Sequence, residues 1–389
     1  MTATLAERAI ALLERLVGFD TTSRDSNLAL IEWVEGYLRQ HGVASVRVPN
    51  ADGSKTNLLA SLGPMGPGGV VLSGHTDVVP VDGQPWTSAP FVLTRRDGKL
   101  FGRGTCDMKG FLALALALVP DLAAARLSRP VHLALTYDEE IGCLGAPALI
   151  QHLLRAVPAP DLVLVGEPTS MRVVGAHKGI LYHEVTIRGR EAHSSQPHLG
   201  ASANMVAARI MGALAAIAER LERDADPSSA FEPKGASLTI GQVHGGTAPN
   251  ILALDCRFVF DLRAPVDVDT RAVIAEIQGL VDAEDAALRG RVPDGGVVMR
   301  RTADVPAFHT EPHGAAVAIA QRLAGDNGPP RSVSYGAEAG QYRSAGLPTV
   351  LCGPGSIDQA HQPDEYIEIA QMERGAAMMS RLLAEVSGG

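Results

Sequence analysis

Apolar positions along this chain fall into two textures. In the first, short β-branched or leucine-rich runs alternate with segments whose apolar residues recur every three or four positions. Residues 5–17 and 26–41 carry the helical period, and Thr21, Thr22 and Ser23 between them offer capping side chains. Residues 46–48 and 57–62 read as short strands, 63–69 as a Gly/Pro turn, and 70–75 as a buried strand. An irregular passage over 80–100 contains a hairpin signal at Arg96-Asp97-Gly98-Lys99. Then come an apolar helix at 110–125, a strand at 131–137, a helix at 143–156 and a strand at 161–167. Strand and helix in alternation predict an α/β fold, a mostly parallel sheet with helices on both faces.

From about Ile180 the texture changes. Alternating strands at 182–188, 236–241 and 255–262 are interleaved with long helices at 200–221 and 269–288. The second helix is expected to stop at the turn Arg289-Gly290-Arg291-Val292-Pro293. This reads as an inserted α+β unit, two helices on a small antiparallel sheet. The α/β texture resumes with a helix at 312–324, strands near 332–335 and at 349–352, and a closing helix at 370–386. The expected organisation is therefore an α/β domain in two parts, 1–179 and 294–389, interrupted by a unit at 180–293.

At 389 residues the chain exceeds the usual size of one core, in keeping with that division. A net charge of −9 argues against nucleic acid or an anionic membrane as the main partner. The most apolar segment, residues 111–119, is too short to span a bilayer. The start of the chain reads as an amphipathic helix and lacks the pattern of a secretory signal. Cys106, Cys143, Cys256 and Cys352 are scattered with no C-x-x-C pair, which implies reduced thiols in a cytoplasmic setting.

The chemistry gathers where apolar runs end. Val70-Val71-Leu72-Ser73-Gly74 leads to His75 and Asp77, spaced so that one can bind a metal while the other supports it. Asp107 sits at the entry to the apolar helix, in Gly102-Arg103-Gly104-Thr105-Cys106-Asp107-Met108-Lys109-Gly110. That passage lacks the G-x-x-x-x-G-K-[ST] spacing of a phosphate loop. Asp138-Glu139-Glu140 closes the next strand, and three adjacent carboxylates repel unless water or a cation offsets them. Glu167 ends the strand after that, and His361 follows the last one. If the sheet is parallel, these ends converge on its carboxyl edge. Two histidines and three carboxylates suit a pair of divalent metals sharing one carboxylate, with a further carboxylate beside them as general base. Cys106 reads as a packed thiol, having no dedicated base beside it.

The series Ser73-Gly74-His75-Thr76-Asp77, residues 102–110, Asp138-Glu139-Glu140, Gly166-Glu167-Pro168 and Ala192-His193-Ser194-Ser195 resembles the M20 metallopeptidase family of two-zinc amidohydrolases, in order over nearly the whole chain. The resemblance implies a zinc-peptidase-like catalytic domain with an inserted lid and dimerisation domain, and hence a homodimer. It implies two Zn2+ per chain, with Co2+ able to substitute. One ion would be held by His75, Asp107 and Glu167, the other by Asp107, Glu140 and His361. Asp77 would orient His75, Glu139 would be the general acid/base, and the Asp107–Met108 peptide would be cis. His193 would donate to the oxyanion. Asn250 and Arg263 would contact substrate, Arg263 through a carboxylate, and Glu338 would meet a substrate cation. Residues 20–27, 137–147, 338–340 and 352–361 look most like the branch of the family that removes the acetyl group from N2-acetyl-L-ornithine. The branch acting on succinyl-diaminopimelate typically has Gly-Thr-Ser-Asp where this chain reads Tyr335-Gly336-Ala337-Glu338. The expected substrate is thus a small N-acyl amino acid. The same chemistry on another N-acyl amino acid, such as succinyl-diaminopimelate, or on a dipeptide, and metal binding without turnover, remain the alternatives. His177 and His198 lie near these motifs without an assigned role.

Overall fold

A computed structural model describes residues 3–388. The chain divides into two compact units. The larger comprises Met1–Ala176, Phe308–Ser332 and Ala337–Gly389, the smaller His177–Ala307 and Val333–Gly336.

The larger unit is organised by a nine-stranded mixed sheet. Its parallel centre runs Val131–Thr136, Val70–His75, Leu162–Val165, Thr349–Leu351. Antiparallel strands extend it: Thr56–Leu62 and Ser45–Pro49 beyond Val131–Thr136, and Val174–His177 beside Thr349–Leu351. The sheet is therefore parallel only where the polar strand ends lie, and the expectation of a mostly parallel sheet holds for that centre alone. Every residue of Val70–His75 and Val131–Thr136 is buried, which is why apolar residues fall on both faces of each strand rather than on one. The helix Lys109–Ala124 is apolar around nearly its whole circumference, because it packs against Leu5–Val17, Ile369–Ser387 and the strand Val70–His75 at once.

Several local expectations shift. Thr21, Thr22 and Ser23 cap no helix; Leu28–Gln40 begins after Asn27, and the Thr21 hydroxyl donates instead to the Thr76 carbonyl at 2.6 Å. The helix expected from 143 starts at Ala146, because Gly142 and Cys143 fold back to donate to the Glu139 carbonyl. The hairpin at Asp97-Gly98 is present, with both residues at positive φ. All four cysteines are buried and free. Among the described residues, no helix is long and apolar enough to cross a membrane.

The smaller unit has its own core. Four antiparallel strands lie in the order Ser237–Gly245, Asp255–Ala264, Gly179–Arg188, Gly296–Val305. Cys256, Phe258, Phe260, Leu262 and Ala264 alternate inward and pack with the helices Ala203–Arg223 and Thr270–Arg291. Asp269 caps the second helix by accepting from the Arg271 and Ala272 N–H groups. Gly290 does not end that helix, which continues to Arg291. The expected boundary at 293 leaves out Gly296–Val305, which pairs along Gly179–Arg188, so the compact unit continues to Ala307.

One buried histidine makes the larger unit sensitive to acid. His132 is wholly buried, its Nδ1 is 2.7 Å from the Ser61 hydroxyl, and its Nε2 has no partner. Burial lowers its pKa from 6.5 to about 4. The folded chain thus disfavours the proton that the unfolded chain accepts. The resulting stability is fully present above about pH 6.5 and is lost as pH falls through about 4. His132→Gln should move the acid-unfolding midpoint, followed by circular dichroism, to lower pH; an unchanged or higher midpoint would contradict this.

Candidate metal centre

Each polar strand end contributes a side chain with a distinct set of partners. His75 is 1% exposed and closes its strand. Its Nδ1 lies 2.8 Å from the Asp77 main-chain carbonyl, so Nδ1–H donates there and Nε2 is the nitrogen left for ligation. The contact to His75 thus runs through the Asp77 backbone, while the Asp77 carboxylate stands 3.7 Å from Nδ1. That carboxylate instead accepts from the Glu139 and Glu140 N–H groups at 3.1 and 3.3 Å and from the Ser23 hydroxyl at 2.7 Å. Asp77 therefore fastens the His75 strand end to the acidic turn.

Within that turn the three adjacent carboxylates separate. Asp138, at φ +56°, pairs with the Lys55 ammonium at 2.5 Å, while Glu139 and Glu140 face the buried cluster. Glu167 follows Gly166, where a Cβ would come within 2.0 Å of the Phe111 ring; only glycine lets the strand end pass that close. His361, also at positive φ (+62°), lies just beyond the turn Ile357–Gln359.

Asp107 stands between the two imidazoles. Its Oδ1 is 3.0 Å from His75 Nε2 and its Oδ2 is 3.4 Å from His361 Nε2. His361 Nε2 is also 2.9 Å from Glu140 Oε2. Two triads share this aspartate: His75, Asp107 and Glu167, and Asp107, Glu140 and His361, each with ligand atoms within 4.8 Å of one another. The Asp107–Met108 peptide is cis, as the resemblance implied.

The electrostatics show what the cluster lacks. Burial pushes Glu139 and Glu167 well above the usual carboxylate range and raises Glu140 to about 7, with Asp107 adding repulsion to all three. Asp107 itself is held below its ordinary value: burial opposes ionisation, but hydrogen bonds from His361 and His75 outweigh it. The same contacts with Asp107 and Glu140 carry His361 up to about 11. Buried carboxylate oxygens, Glu140 Oε1 and Glu167 Oε1, have no hydrogen-bond partner. Four crowded carboxylates with orphaned oxygens call for cationic charge. An imidazole-and-carboxylate donor set with a shared aspartate fits two divalent ions of the zinc type.

The remaining candidates are distributed between the units. Glu338 lies in the larger one, 1% exposed, with Oε2 3.5 Å from the Ser73 hydroxyl, two residues before His75. Ser73 also shares a hydrogen bond with Tyr342 at 2.9 Å. Burial pushes Glu338 up to about 7, and its Oε1 is unpartnered. His193, Asn250 and Arg263 belong to the smaller unit. There His193 and Asn250 are neighbours: Ser194 N–H donates to the Asn250 carbonyl, and His193 bridges to Ile251. Arg263 already pairs with Asp261 at 2.8 Å and donates to the Tyr182 hydroxyl at 3.1 Å. Cys106 donates to the Ser356 carbonyl, and burial pushes its thiol well up, as befits a packed residue.

Sequence reasoning passed over four residues around the cluster. Ser23 braces Asp77, and the Cys143 thiol donates to Glu139 Oε1 at 3.4 Å. Arg103 and Glu365 form a buried pair beneath the Asp107 loop. Arg103 stood in a motif read for its glycines and offers no donor to a metal; Glu365 lies four residues after His361, and its carboxylate is engaged by Arg103 and by the N–H groups of Gly104, Cys106 and Asp107.

Residues 71–385 match the family described as Peptidase family M20/M25/M40, and the chain belongs to that family. It is 37% identical over 393 residues to an acetylornithine deacetylase of Myxococcus xanthus, covering 97% of each. It is 34% identical to that of Proteus mirabilis, covering 94% of this chain and 91% of the relative. Among solved structures it shares the fold of human carnosine dipeptidase 1, with a TM-score of 0.77, 16% identity, and 98% and 97% of the two chains covered. It also shares the fold of aminopeptidase PepT from Bacillus cereus, with a TM-score of 0.73, 21% identity, and 98% and 99% covered. The cluster is thus the binuclear metal site of an M20 metallohydrolase.

Because the triads meet only at Asp107, their ions should be separable by mutation. Elemental analysis should find about one ion retained in Glu167→Ala and neither held tightly in Asp107→Ala. Two ions kept by Asp107→Ala would contradict the shared-ligand geometry.

Proposed function

We propose that this chain hydrolyses the amide bond of a small N-acyl amino acid, and that its substrate is N2-acetyl-L-ornithine, released as L-ornithine and acetate. The observation that carries the hydrolytic reading is Glu139. It is a half-buried carboxylate whose charge acts on His75, Glu167, Glu140 and Asp107 while it belongs to neither triad, with its backbone fixed by Asp77 and one oxygen touched by a thiol. The acetylornithine assignment rests on sequence likeness to curated deacetylases along the whole chain. Nothing in the metal donors depends on acyl length, so another N-acyl amino acid, or a dipeptide, is the rival substrate.

His75, Asp107 and Glu167 would hold one Zn2+, or Co2+ in its place, and Asp107, Glu140 and His361 the other; the pair would supply Lewis acidity toward the amide carbonyl and would lower the pKa of water. The protein does the rest. Burial beside other carboxylates raises the proton affinity of Glu139. Glu139 can therefore take a proton from the attacking water and deliver it to the departing amine nitrogen. Asp77 sets the position of both His75 and Glu139.

His193 donates to the oxyanion that develops on the carbonyl. Its Nδ1 accepts from the Ser195 N–H at 3.2 Å, which places the ring proton on Nε2, the form a donor needs. Asn250, beside His193, contacts the substrate. Arg263 takes the substrate carboxylate, competing with its present partner Asp261. Glu338 accepts the substrate ammonium through its unpaired oxygen. Catalysis takes place in the cytoplasm, in a homodimer formed through the smaller unit.

Glu139→Ala should lower kcat about 10²- to 10⁴-fold while leaving about two ions per chain; unchanged turnover would remove its role. A kcat/KM panel of acetyl, succinyl and formyl amino acids and dipeptides should rank N2-acetyl-L-ornithine first. A higher value for succinyl-diaminopimelate or a dipeptide would transfer the assignment to that substrate.

A further inference from the structure

His361 is the one ligand of the two triads with a largely exposed side chain, about half accessible, and its backbone is left-handed without being glycine. Such a residue holds its position only if its surroundings impose it. The surroundings are a polar network that includes no metal ligand side chain. Gln84 Nε2–H donates to the His361 carbonyl at 3.0 Å. Arg103 donates through Nη1 to the Gln362 carbonyl at 3.3 Å and to Glu365 Oε2 at 2.8 Å. Through Nη2 it donates to Gln84 Oε1 at 2.6 Å and to the Pro80 carbonyl at 3.4 Å. The Trp86 indole N–H donates to the same Gln84 oxygen, and the Arg103 guanidinium lies 5.0 Å from the Trp86 ring centre.

Glu365 completes the link to Asp107. Besides Arg103, it accepts from the Gly104 N–H at 3.0 Å, the Cys106 N–H at 2.8 Å and the Asp107 N–H at 3.0 Å. Arg103 and Glu365 are each 1% exposed. A buried ion pair is tolerated where its remaining hydrogen-bonding capacity is met, and this carboxylate meets four donors. One side chain thus grips the loop bearing Asp107 from below. Its partner, with Gln84, grips the two carbonyls at and after His361.

We propose that Gln84, Arg103 and Glu365 are positioning residues that set the distance between Asp107 and His361 and so determine the affinity of the second metal subsite. The proposal rests on the binuclear reading above. The first subsite shares Asp107, but its other two ligands lie outside this network: His75 is held by its strand and the Asp77 carbonyl, and Glu167 follows the strand Leu162–Val165. Loss of the Gln84 contact should therefore act on the second ion alone. Loss of Glu365, which also holds the Asp107 backbone, should act more strongly.

The test is titration of the metal-free protein with Co2+ against a competing chelator, followed by visible absorption, for wild type, Gln84→Met, Glu365→Gln and His361→Ala. Gln84→Met should leave the first ion's affinity unchanged and weaken the second about 10- to 100-fold, the range for partners that orient metal ligands. It should thus resemble His361→Ala in kind but be milder. Glu365→Gln should exceed it. Gln84 is only half-buried, so its variant decides the matter if Glu365→Gln does not fold. Wild-type affinity for both ions in Gln84→Met, or equal loss of both, would overturn the clamp. Fewer than two ions bound by the wild type would instead overturn the binuclear reading.

Discussion

The Asp107 carboxylate lies between two imidazoles, with Glu139, Glu140 and Glu167 sharing the same buried space. Each carboxylate raises the cost of ionising the next, and burial removes the water that would otherwise screen them. Two histidines on one aspartate offset only part of this, and oxygens of Glu140 and Glu167 are left without partners. A chain that buries such a group depends on cations to complete it. The rest of the larger unit can be understood as the means of holding that group together.

The sheet supplies the convergence. Parallel neighbours end at the same edge, so His75, the acidic turn after Thr136, Glu167 and the segment after Leu351 reach one region from separate parts of the sequence. Between these ends run ties that contribute no metal ligand. Asp77 joins the His75 strand to the acidic turn, Ser23 braces Asp77, and Glu365 with Arg103 joins the Asp107 loop to the His361 loop. The apolar helix Lys109–Ala124 presses Phe111 against Gly166, setting the approach of Glu167.

Much of this was legible in the chain. Strand ends that change abruptly from Val and Leu to His, Asp and Glu announced the metal cluster, because burying apolar runs forces their polar termini to the sheet edge. The shift from buried runs to alternating strands near Ile180 announced the second unit. What stayed hidden depended on pairing between distant segments. Gly296–Val305 has three consecutive polar residues, Arg300, Arg301 and Thr302, and joined the smaller sheet only because Gly179–Arg188 offered it a partner. Thr21 and Ser23 looked like caps because hydroxyls beside a helix usually are, yet Thr76 and Asp77 claimed them across more than fifty residues. That the Asp77 carbonyl, and not its carboxylate, holds His75 is a fact of backbone direction that composition does not encode.

The account stands on two ions meeting at one aspartate. Crystals grown with zinc and measured at the zinc absorption edge test this most directly, through an anomalous difference map. Two peaks should flank the Asp107 carboxylate, one in reach of His75 and Glu167 and the other in reach of Glu140 and His361. A single peak, or peaks away from Asp107, would contradict it.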